Sequence, residues 1–301
     1  MSPPVRSTPR RRLLGGLALV AILALVLAPT AIAGTFTPES GGSPNADHIA
    51  NLYDIAGYIA IVVFVGVEGA LFYALFKFRS RRGGVAAQVR GNTRLEFGWT
   101  AIPALILLVL VVVTFTQLHK IQTPENSGSG GYSVASAGIE YATTSQQLPP
   151  NGRSLRIQVN GQQFVWRYTY PGGGPTGLGA PYAYEEMVVP TDTTVTLDIV
   201  SQDVAHSWWI PKLGGKFDAV PGYHNYTWFK IHNPGVYTGQ CAELCGRLHA
   251  DMIAKVRAVP PAQFEAWLAQ QKSDIQAANN AAAASRAKLS QATGAQAVQS
   301  P

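Results

Sequence analysis

The chain has 301 residues, of which 47% are hydrophobic, and a formal net charge of +6 at pH 7. This length fits one large domain or two smaller ones. The excess of positive charge lies near the N-terminus, where ten Lys and Arg residues precede residue 120 against five acidic residues, whereas 13 basic and 12 acidic residues lie from residue 120 onward. Because the larger part of the chain is nearly neutral and has no basic stripe, the sequence excludes a nucleic-acid-binding protein.

The first 33 residues have the pattern of an export signal. Four arginines precede an apolar stretch over residues 13–27, and the small-residue sequence Ala31-Ile32-Ala33 comes after it. These are the three parts of a secretory signal peptide. The same stretch is also long enough to be an uncleaved membrane anchor. Both interpretations place the residues directly after this segment outside the cytoplasm.

Two further stretches, about residues 55–78 and 97–118, are long and apolar enough to cross a membrane. Six Lys and Arg residues lie between Lys77 and Arg94. Short loops rich in these residues stay in the cytoplasm. We therefore predict a transmembrane hairpin within residues 34–119 whose outer ends, together with the rest of the chain to its C-terminus, face the exterior.

The exported part is predicted to be a linker followed by a β-sandwich. Residues 120–152 are rich in Ser, Gly, Thr, Asn and Pro, which is typical of a linker. Residues 153–260 contain several short stretches of alternating polar and apolar residues between Gly and Pro turns, and this pattern predicts an antiparallel sandwich or barrel. A helical pattern covers residues 261–275, and the Ala-, Gln- and Ser-rich residues 276–301 are predicted to be a disordered or weakly helical tail.

Both cysteines of the chain lie in one short segment together with a histidine and a methionine. The segment reads Cys241-Ala-Glu243-Leu-Cys245-Gly-Arg-Leu-His249-Ala-Asp-Met252. Thiolate, imidazole and thioether ligands together suit copper. A disulfide is the alternative for two cysteines of an exported domain, but a disulfide does not explain His249 and Met252.

A further ligand must come from elsewhere, and His206 is the best candidate because it lies just after a strongly predicted strand over residues 194–200. A distant His followed by clustered Cys, His and Met is the blue-copper pattern. One copper needs only one thiolate, so the second cysteine either forms a disulfide or supplies another thiolate. Two thiolates can bridge two copper ions, with one His on each metal and with Met252 and the Glu243 carbonyl as weaker ligands. Such a pair shares one electron, which suits electron transfer rather than substrate turnover.

Aromatic residues alternate along the segment 163–170. They are Phe164, Trp166, Tyr168 and Tyr170. The default interpretation is one face of a buried strand, because side chains two positions apart share a face. The functional interpretation is an electron path and docking patch close to the metal.

The loop with both cysteines and several other segments resemble subunit II of the haem-copper cytochrome c oxidases. The family's C-x-E-x-C-G-x-x-H-x-x-M loop is matched at every fixed position by residues 241–252. Residues 203–208 resemble the segment with the family's distal His ligand, residues 216–222 its next loop, and residues 91–103 the start of its second span. The resemblance covers about residues 45–268.

The resemblance implies a membrane-anchored α+β subunit of the bacterial plasma membrane, with a cupredoxin-like Greek-key β-sandwich that holds a dinuclear copper centre, CuA. It implies that electrons pass from cytochrome c through CuA to haem in subunit I, where oxygen is reduced and protons are pumped. The implied partners are subunit I, other oxidase subunits and membrane lipid. The Glu243 side chain would help to bind a magnesium ion at the boundary with subunit I, and Glu96 would lie near the mouth of a cytoplasmic proton pathway.

The chain departs from the family where electrons enter. Gln163-Phe164 replaces the usual Gln-Trp, and phenylalanine is a poorer redox relay, so we predict a route through Phe164 and Trp166. Tyr223 replaces an Arg, and Gln202 replaces a carboxylate that is often found there. The predicted donor is therefore either cytochrome c or a membrane-held cytochrome.

Two other functions fit parts of the sequence. A quinol-oxidase subunit II would have the same architecture without the copper ligands. A membrane-anchored domain with a Cys241–Cys245 disulfide would act in binding or assembly. The intact ligand set argues against both alternatives.

Overall fold

The computed structural model describes two long helices, a β-sandwich and a C-terminal helix. The described residues are 37–79, 88, 90–132, 148–172 and 179–297. The predicted signal or anchor over residues 1–33 lies outside the described residues, as does much of the predicted linker.

Helices α1 (Pro44–Lys77) and α2 (Thr93–Gln122) correspond to the two predicted spans and extend each of them outward. The first turn of α1 contains proline, which that position tolerates because the missing N–H has no partner there. The Asn92 side chain caps α2 by accepting a hydrogen bond from the backbone N–H of Leu95. Both helices are apolar enough to cross a membrane, and their most apolar 18-residue stretches are not buried by this chain.

The β-sandwich consists of two sheets with five strands each in the described part of the chain. The strands are β1 (Leu155–Gln162), β2 (Val165–Thr169), β3 (Tyr182–Tyr184), β4 (Glu186–Pro190), β5 (Thr194–Ser201), β6 (His206–Trp209), β7 (Phe217–Ala219), β8 (Asn225–Lys230), β9 (Gly235–Cys241) and β10 (Ile253–Val259). The first sheet has the order β3-β2-β1-β5-β8, and the second has the order β4-β10-β9-β6-β7. The predicted sandwich is confirmed.

One detail of the predicted sandwich is wrong, because its sheets are not wholly antiparallel. Strand β1 pairs with β5 in parallel, and β4 pairs with β10 in parallel. The strands of each parallel pair are joined by long connections that leave the sheet and return to it. Alternation within a strand sets which side chains are buried, but it carries no information on the direction of a neighbour that is distant in sequence.

The core lies between the two sheets. Trp166, Tyr168 and Tyr170 of the aromatic segment are buried, which confirms the default interpretation of that segment as a buried strand face. The hydroxyl of Tyr170 donates to the Val188 carbonyl at 2.9 Å and accepts from the Val188 N–H at 2.7 Å. These bonds connect the first sheet to β4 of the second and satisfy a phenol that is otherwise buried among apolar side chains.

Strand β8 joins the sandwich to the outer ends of both long helices. Asn45 Nδ2 donates to the Trp228 carbonyl at 2.7 Å, and Trp228 Nε1 donates to the Ile121 carbonyl at 2.8 Å. Lys230 Nζ lies 2.5 Å from the Glu125 carboxylate. The sandwich is therefore held directly against the end of the hairpin at which the chain leaves the second span.

The C-terminal helix α3 (Pro261–Ala297) is longer than predicted. The sequence predicts a helix to residue 275 and a disordered or weakly helical tail from residue 276, and the described part of that tail is helical. Ala, Gln, Lys and Arg all have high helix propensity, so a segment with little to bury still adopts helical backbone. Among the described side chains of α3, the buried ones that pack on the sandwich are Phe264 and Leu268 near its start.

Candidate metal centre

Two adjacent strands of the second sheet bring the predicted ligands together. Residues 241–252 connect β9 to β10, and β6 pairs with β9 so that Trp208 lies opposite Cys241. His206 lies two residues before Trp208, on the same face of β6. The strand pairing thus sets the distant histidine beside the first cysteine.

The first half of the site contains His206 and Cys241. Their Nδ1 and Sγ atoms are 3.9 Å apart, and both side chains are buried. The carbonyl oxygen of Glu243 lies 3.3 Å from the same sulfur. One nitrogen, one sulfur and one backbone oxygen therefore face a common point.

The second half of the site is built around Cys245. Its sulfur lies 3.6 Å from His249 Nδ1 and 3.9 Å from Met252 Sδ. The two cysteine sulfurs are 4.0 Å apart, which joins the two halves. Each sulfur thus has one imidazole beside it, and the arrangement is roughly symmetric about the sulfur pair.

The donor atoms fit a metal centre. Bonds of about 2.3 Å to sulfur and about 2.0 Å to nitrogen place two donors of one metal within roughly 4.5 Å of each other. The ligand atoms of His206, Cys241 and Cys245 all lie within 4.8 Å of one another, and these three residues are buried. Both thiols are free, and a sulfur separation of 4.0 Å is about twice the length of a disulfide bond. The geometry therefore favours shared thiolate ligands over the disulfide alternative.

The two thiols have opposite electrostatic surroundings. Burial alone would raise the pKa of Cys241, but hydrogen bonding to His206 and to nearby backbone outweighs this effect and lowers the pKa to about 6. Burial raises the pKa of Cys245 to about 11, and the neighbouring charge of Cys241 adds to the shift. At neutral pH the metal-free site therefore holds one thiolate and one thiol.

Asp203 fixes the orientation of the His206 ring. Its Oδ1 lies 2.8 Å from His206 Nε2. A carboxylate only accepts hydrogen bonds, so Nε2 carries a proton, and Nδ1, which faces the Cys241 sulfur, is the nitrogen left for a metal. Burial would raise the pKa of Asp203, but hydrogen bonds from the Gln163 backbone N–H, His206 and the Val204 backbone N–H lower it overall.

Aromatic side chains cover the site from the side of the first sheet. Phe164 is partly buried and packs against Gly246 of the ligand loop, where an added Cβ would lie 3.1 Å from the ring. Trp166 is fully buried, and its ring centroid lies 5.9 Å from that of His206. Of the two residues on the predicted electron route, Phe164 is thus nearer the surface and Trp166 is inside.

Sequence reasoning missed three residues that shape this site. Asp203 bonds a ligand, Gln163 contacts the ligand loop, and Gly161 leaves space for the His206 ring. A glycine within a predicted strand is a signal of close approach, and an Asp three residues before a candidate His ligand is a signal of an outer hydrogen bond. No comparable signal was available for Gln163, because its contacts are distant in sequence.

The two carboxylates predicted from the resemblance lie outside this cluster. Glu243 has an exposed side chain at the ligand loop. Glu96 is exposed in the first turn of α2, and its Oε1 accepts a hydrogen bond from the Asn92 N–H at 3.1 Å. Glu96 therefore helps to cap the helix, whatever its other role.

Two family models match the chain in the order of its two parts. The model described as "Cytochrome C oxidase subunit II, transmembrane domain" matches residues 31–117. The model described as "Cytochrome C oxidase subunit II, periplasmic domain" matches residues 182–259. The second match contains all the candidate copper ligands.

Curated relatives match over most of the chain. "Cytochrome c oxidase subunit 2" of Alkalihalophilus pseudofirmus is 32% identical, and the match covers 77% of this chain and 61% of that protein. "Probable cytochrome c oxidase subunit 2" of Rickettsia bellii is 30% identical, and the match covers 75% of this chain and 80% of that protein. The chain thus spans somewhat less than two thirds of the first relative and most of the second.

Among solved structures, the periplasmic domain of subunit II of cytochrome oxidase of Bradyrhizobium japonicum is 33% identical to this chain. The match covers 40% of this chain and 95% of that structure, with a TM-score of 0.37.

Proposed function

The chain belongs to the cytochrome c oxidase subunit II family, and on that premise we propose that it holds a dinuclear copper centre, CuA, that passes electrons to haem in oxidase subunit I. The observation that carries this proposal is the sulfur pair of Cys241 and Cys245, 4.0 Å apart with one imidazole beside each sulfur. Oxygen reduction and proton pumping would take place in the partner subunit. When bound, the copper pair supplies a carrier for one electron.

The protein contributes a fixed set of donors. Cys241 and Cys245 would be shared between the two metals, with His206 and His249 as the terminal imidazoles and Met252 as a weaker ligand. The Glu243 carbonyl would be the weaker ligand of the other half. These donors lie on one loop and one strand of a packed sandwich, so they need little movement when the charge of the centre changes.

The sandwich stands on the periplasmic side of a bacterial plasma membrane. The basic segment between α1 and α2 keeps that end of the hairpin in the cytoplasm. The apolar surfaces of both helices are exposed in the isolated chain, and we propose that lipid, subunit I and other oxidase subunits cover them.

Electrons would enter close to the turn that contains Phe164. Phe164 lies against the ligand loop, and Trp166 lies behind it against His206. The donor would be cytochrome c or a membrane-held cytochrome. Replacing Phe164 by Trp would be expected to speed electron uptake if this position is the relay, whereas an equal rate would contradict the route.

The two remaining carboxylates have proposed roles at opposite faces of the membrane. The exposed Glu243 carboxylate would bind a magnesium ion shared with subunit I, and magnesium analysis of a Glu243→Gln complex tests this role. Glu96 would lie near the mouth of a proton pathway. A Glu96→Gln complex with unchanged turnover and proton uptake would contradict that role.

Copper loading of the purified full-length chain tests the central proposal. We expect two copper ions per chain and an electron paramagnetic resonance spectrum of one electron shared by two metals. Cys245→Ser should lose that spectrum. No bound copper, with Cys241 and Cys245 oxidised to a disulfide, would favour a binding or assembly domain instead, and a chain without copper and without a disulfide would fit a quinol-oxidase subunit.

A further inference from the structure

The turn between β1 and β2 reaches from the first sheet to the ligand loop of the second. Gln162 pairs with Val165 across this hairpin, so Gln163 and Phe164 are its two turn residues. A two-residue turn is the tightest hairpin connection and holds its residues in a fixed place. The tip of one sheet is therefore set against the metal site of the other.

Gln163 makes two hydrogen bonds at this tip, one to each half of the site. Its backbone N–H donates to Asp203 Oδ2 at 2.7 Å. The other oxygen of that carboxylate bonds His206 Nε2 at 2.8 Å. The Gln163 side-chain amide donates to the carbonyl oxygen of Cys245 at 2.6 Å.

We propose that Gln163 is a positioning residue that holds the His206 half and the Cys245 half of the site at the separation a metal pair requires. The inference rests on the proposed copper centre. His206 is supported by its strand, whereas Cys245 lies in a loop that leaves β9 four residues earlier. The side-chain hydrogen bond of Gln163 links this part of the loop, which no strand supports, to the same two-residue turn whose backbone bonds Asp203.

The surroundings of Gln163 distinguish this role from a contribution to folding. The residue is exposed, so its amide can bond to water when the contact is lost, and the core does not depend on it. The loop fits closely around the contact, because a Cβ at Gly246 would lie 3.0 Å from Gln163 Nε2. Gly246 also has a φ of 136°, a backbone conformation that other residues rarely adopt. The turn and the loop are therefore shaped to each other.

The preceding residue is a matched control. Gln162 Nε2 donates to Gln202 Oε1 at 2.6 Å. This bond has the same length and chemistry as the bond from Gln163 to Cys245, and it also joins the hairpin to the segment before His206, but it does not reach the ligand loop.

The test compares Gln163→Met with Gln162→Met in the full-length chain, purified in detergent and loaded with copper. Methionine keeps the length of the side chain and removes the amide. Loss of an outer hydrogen bond to a metal site typically weakens metal binding by about 10- to 100-fold. We expect Gln163→Met to lose copper to a competing chelator at about tenfold lower chelator concentration, with altered copper hyperfine splitting in the paramagnetic resonance spectrum. Gln162→Met should match the wild type in both measurements.

Two further measurements separate positioning from a general loss of structure. The thermal midpoint of the metal-free Gln163→Met chain should match that of the wild type, because the residue is exposed. Gln163→Lys keeps an N–H donor of similar reach and should recover most of the copper retention. Equal copper retention and equal spectra in Gln163→Met and wild type would overturn the positioning role and leave the copper centre standing. A wild-type chain that binds no copper pair would overturn both.

Discussion

Cys241 and Cys245 are close in sequence, but different neighbours set their charge states. Cys241 lies at the end of a strand, beside His206 and backbone groups that stabilise its thiolate. Cys245 lies in the loop and faces that thiolate, which disfavours a second negative charge. A metal pair that binds both sulfurs must therefore displace the proton of Cys245.

The first prediction concerns this proton difference in the metal-free chain. Cys241 should be a thiolate at neutral pH and become protonated as the pH falls through about 6. Cys245 should remain a thiol until the pH approaches about 11. The ultraviolet absorbance of thiolate, followed from pH 8 down to pH 5, should decrease by the equivalent of one group. Cys241→Ser should abolish the decrease, and a decrease that survives in this variant would assign it to another group.

The second prediction concerns Gly161 of β1. A Cβ at this position would lie 2.9 Å from His206 Cδ2 and 3.2 Å from Trp166 Cζ3. Gly161→Ala should displace the His206 ring from its position beside Cys241, and overpacking of this kind typically costs about 1–3 kcal/mol in the free energy of unfolding. Chemical denaturation measures that loss, and copper analysis should show lower occupancy. Gly235→Ala is the control, because its nearest neighbour lies at 3.9 Å; an equal effect there would contradict the steric explanation.

The ligands themselves were predictable from sequence, but the contact that Gln163 makes with their loop was not. Cys241, Cys245, His249 and Met252 are local, so their spacing alone indicates a metal site. Gln163 reaches Cys245 only because two sheets pack face to face, and that packing is not visible in either segment. Local motifs therefore identify ligands, whereas outer hydrogen bonds depend on the tertiary fold.

At the scale of elements, the sequence predicted the two spans and the sandwich, because a membrane span leaves a long apolar run and a strand buried on one face leaves an alternating pattern. The sequence-based prediction failed where the structure does not follow from a local hydrophobic pattern. The parallel pairing of β1 with β5 depends on connections between the sheets. The long helix α3 has no apolar face over its second half, and only its intrinsic propensity keeps it helical.

The third prediction concerns α3, whose two parts should differ in their contribution to stability. Phe264 is fully buried and packs against Tyr132 and Trp267 at ring distances of 5.0 and 5.9 Å. Phe264→Ala should lower the free energy of unfolding by about 3–5 kcal/mol. Deletion of the chain from residue 278 onward removes a segment whose described side chains, over residues 278–291, are exposed, and should leave the value within about 0.5 kcal/mol of the wild type. Thermal or denaturant unfolding checks both, and a large loss on deletion would show that the distal helix packs on the sandwich.

At the scale of the whole molecule, the strand that bonds to the membrane spans and the strands that hold the candidate ligands belong to different sheets. Strand β8 of the first sheet bonds the outer ends of both spans through Trp228 and Asn45. Strands β6 and β9 of the second sheet carry the ligands. Both sheets share one core, so the packing of the sandwich contributes to the position of the candidate metal site relative to the outer ends of the spans.

The last prediction comes from this shared core, because a ligand that binds only the folded chain stabilises all of it. Copper at about 100 times its dissociation constant should add about 2.7 kcal/mol to the free energy of unfolding. For a chain of this size the thermal midpoint should then rise by about 4 °C. Calorimetry of the copper-loaded and metal-free chain measures this difference. Cys245→Ser should show little of the rise, because it removes the sulfur that joins both halves of the site, and Met252→Leu should keep most of it, because the thioether is the weaker ligand. An equal rise in Cys245→Ser would mean that copper stabilises the chain from another site.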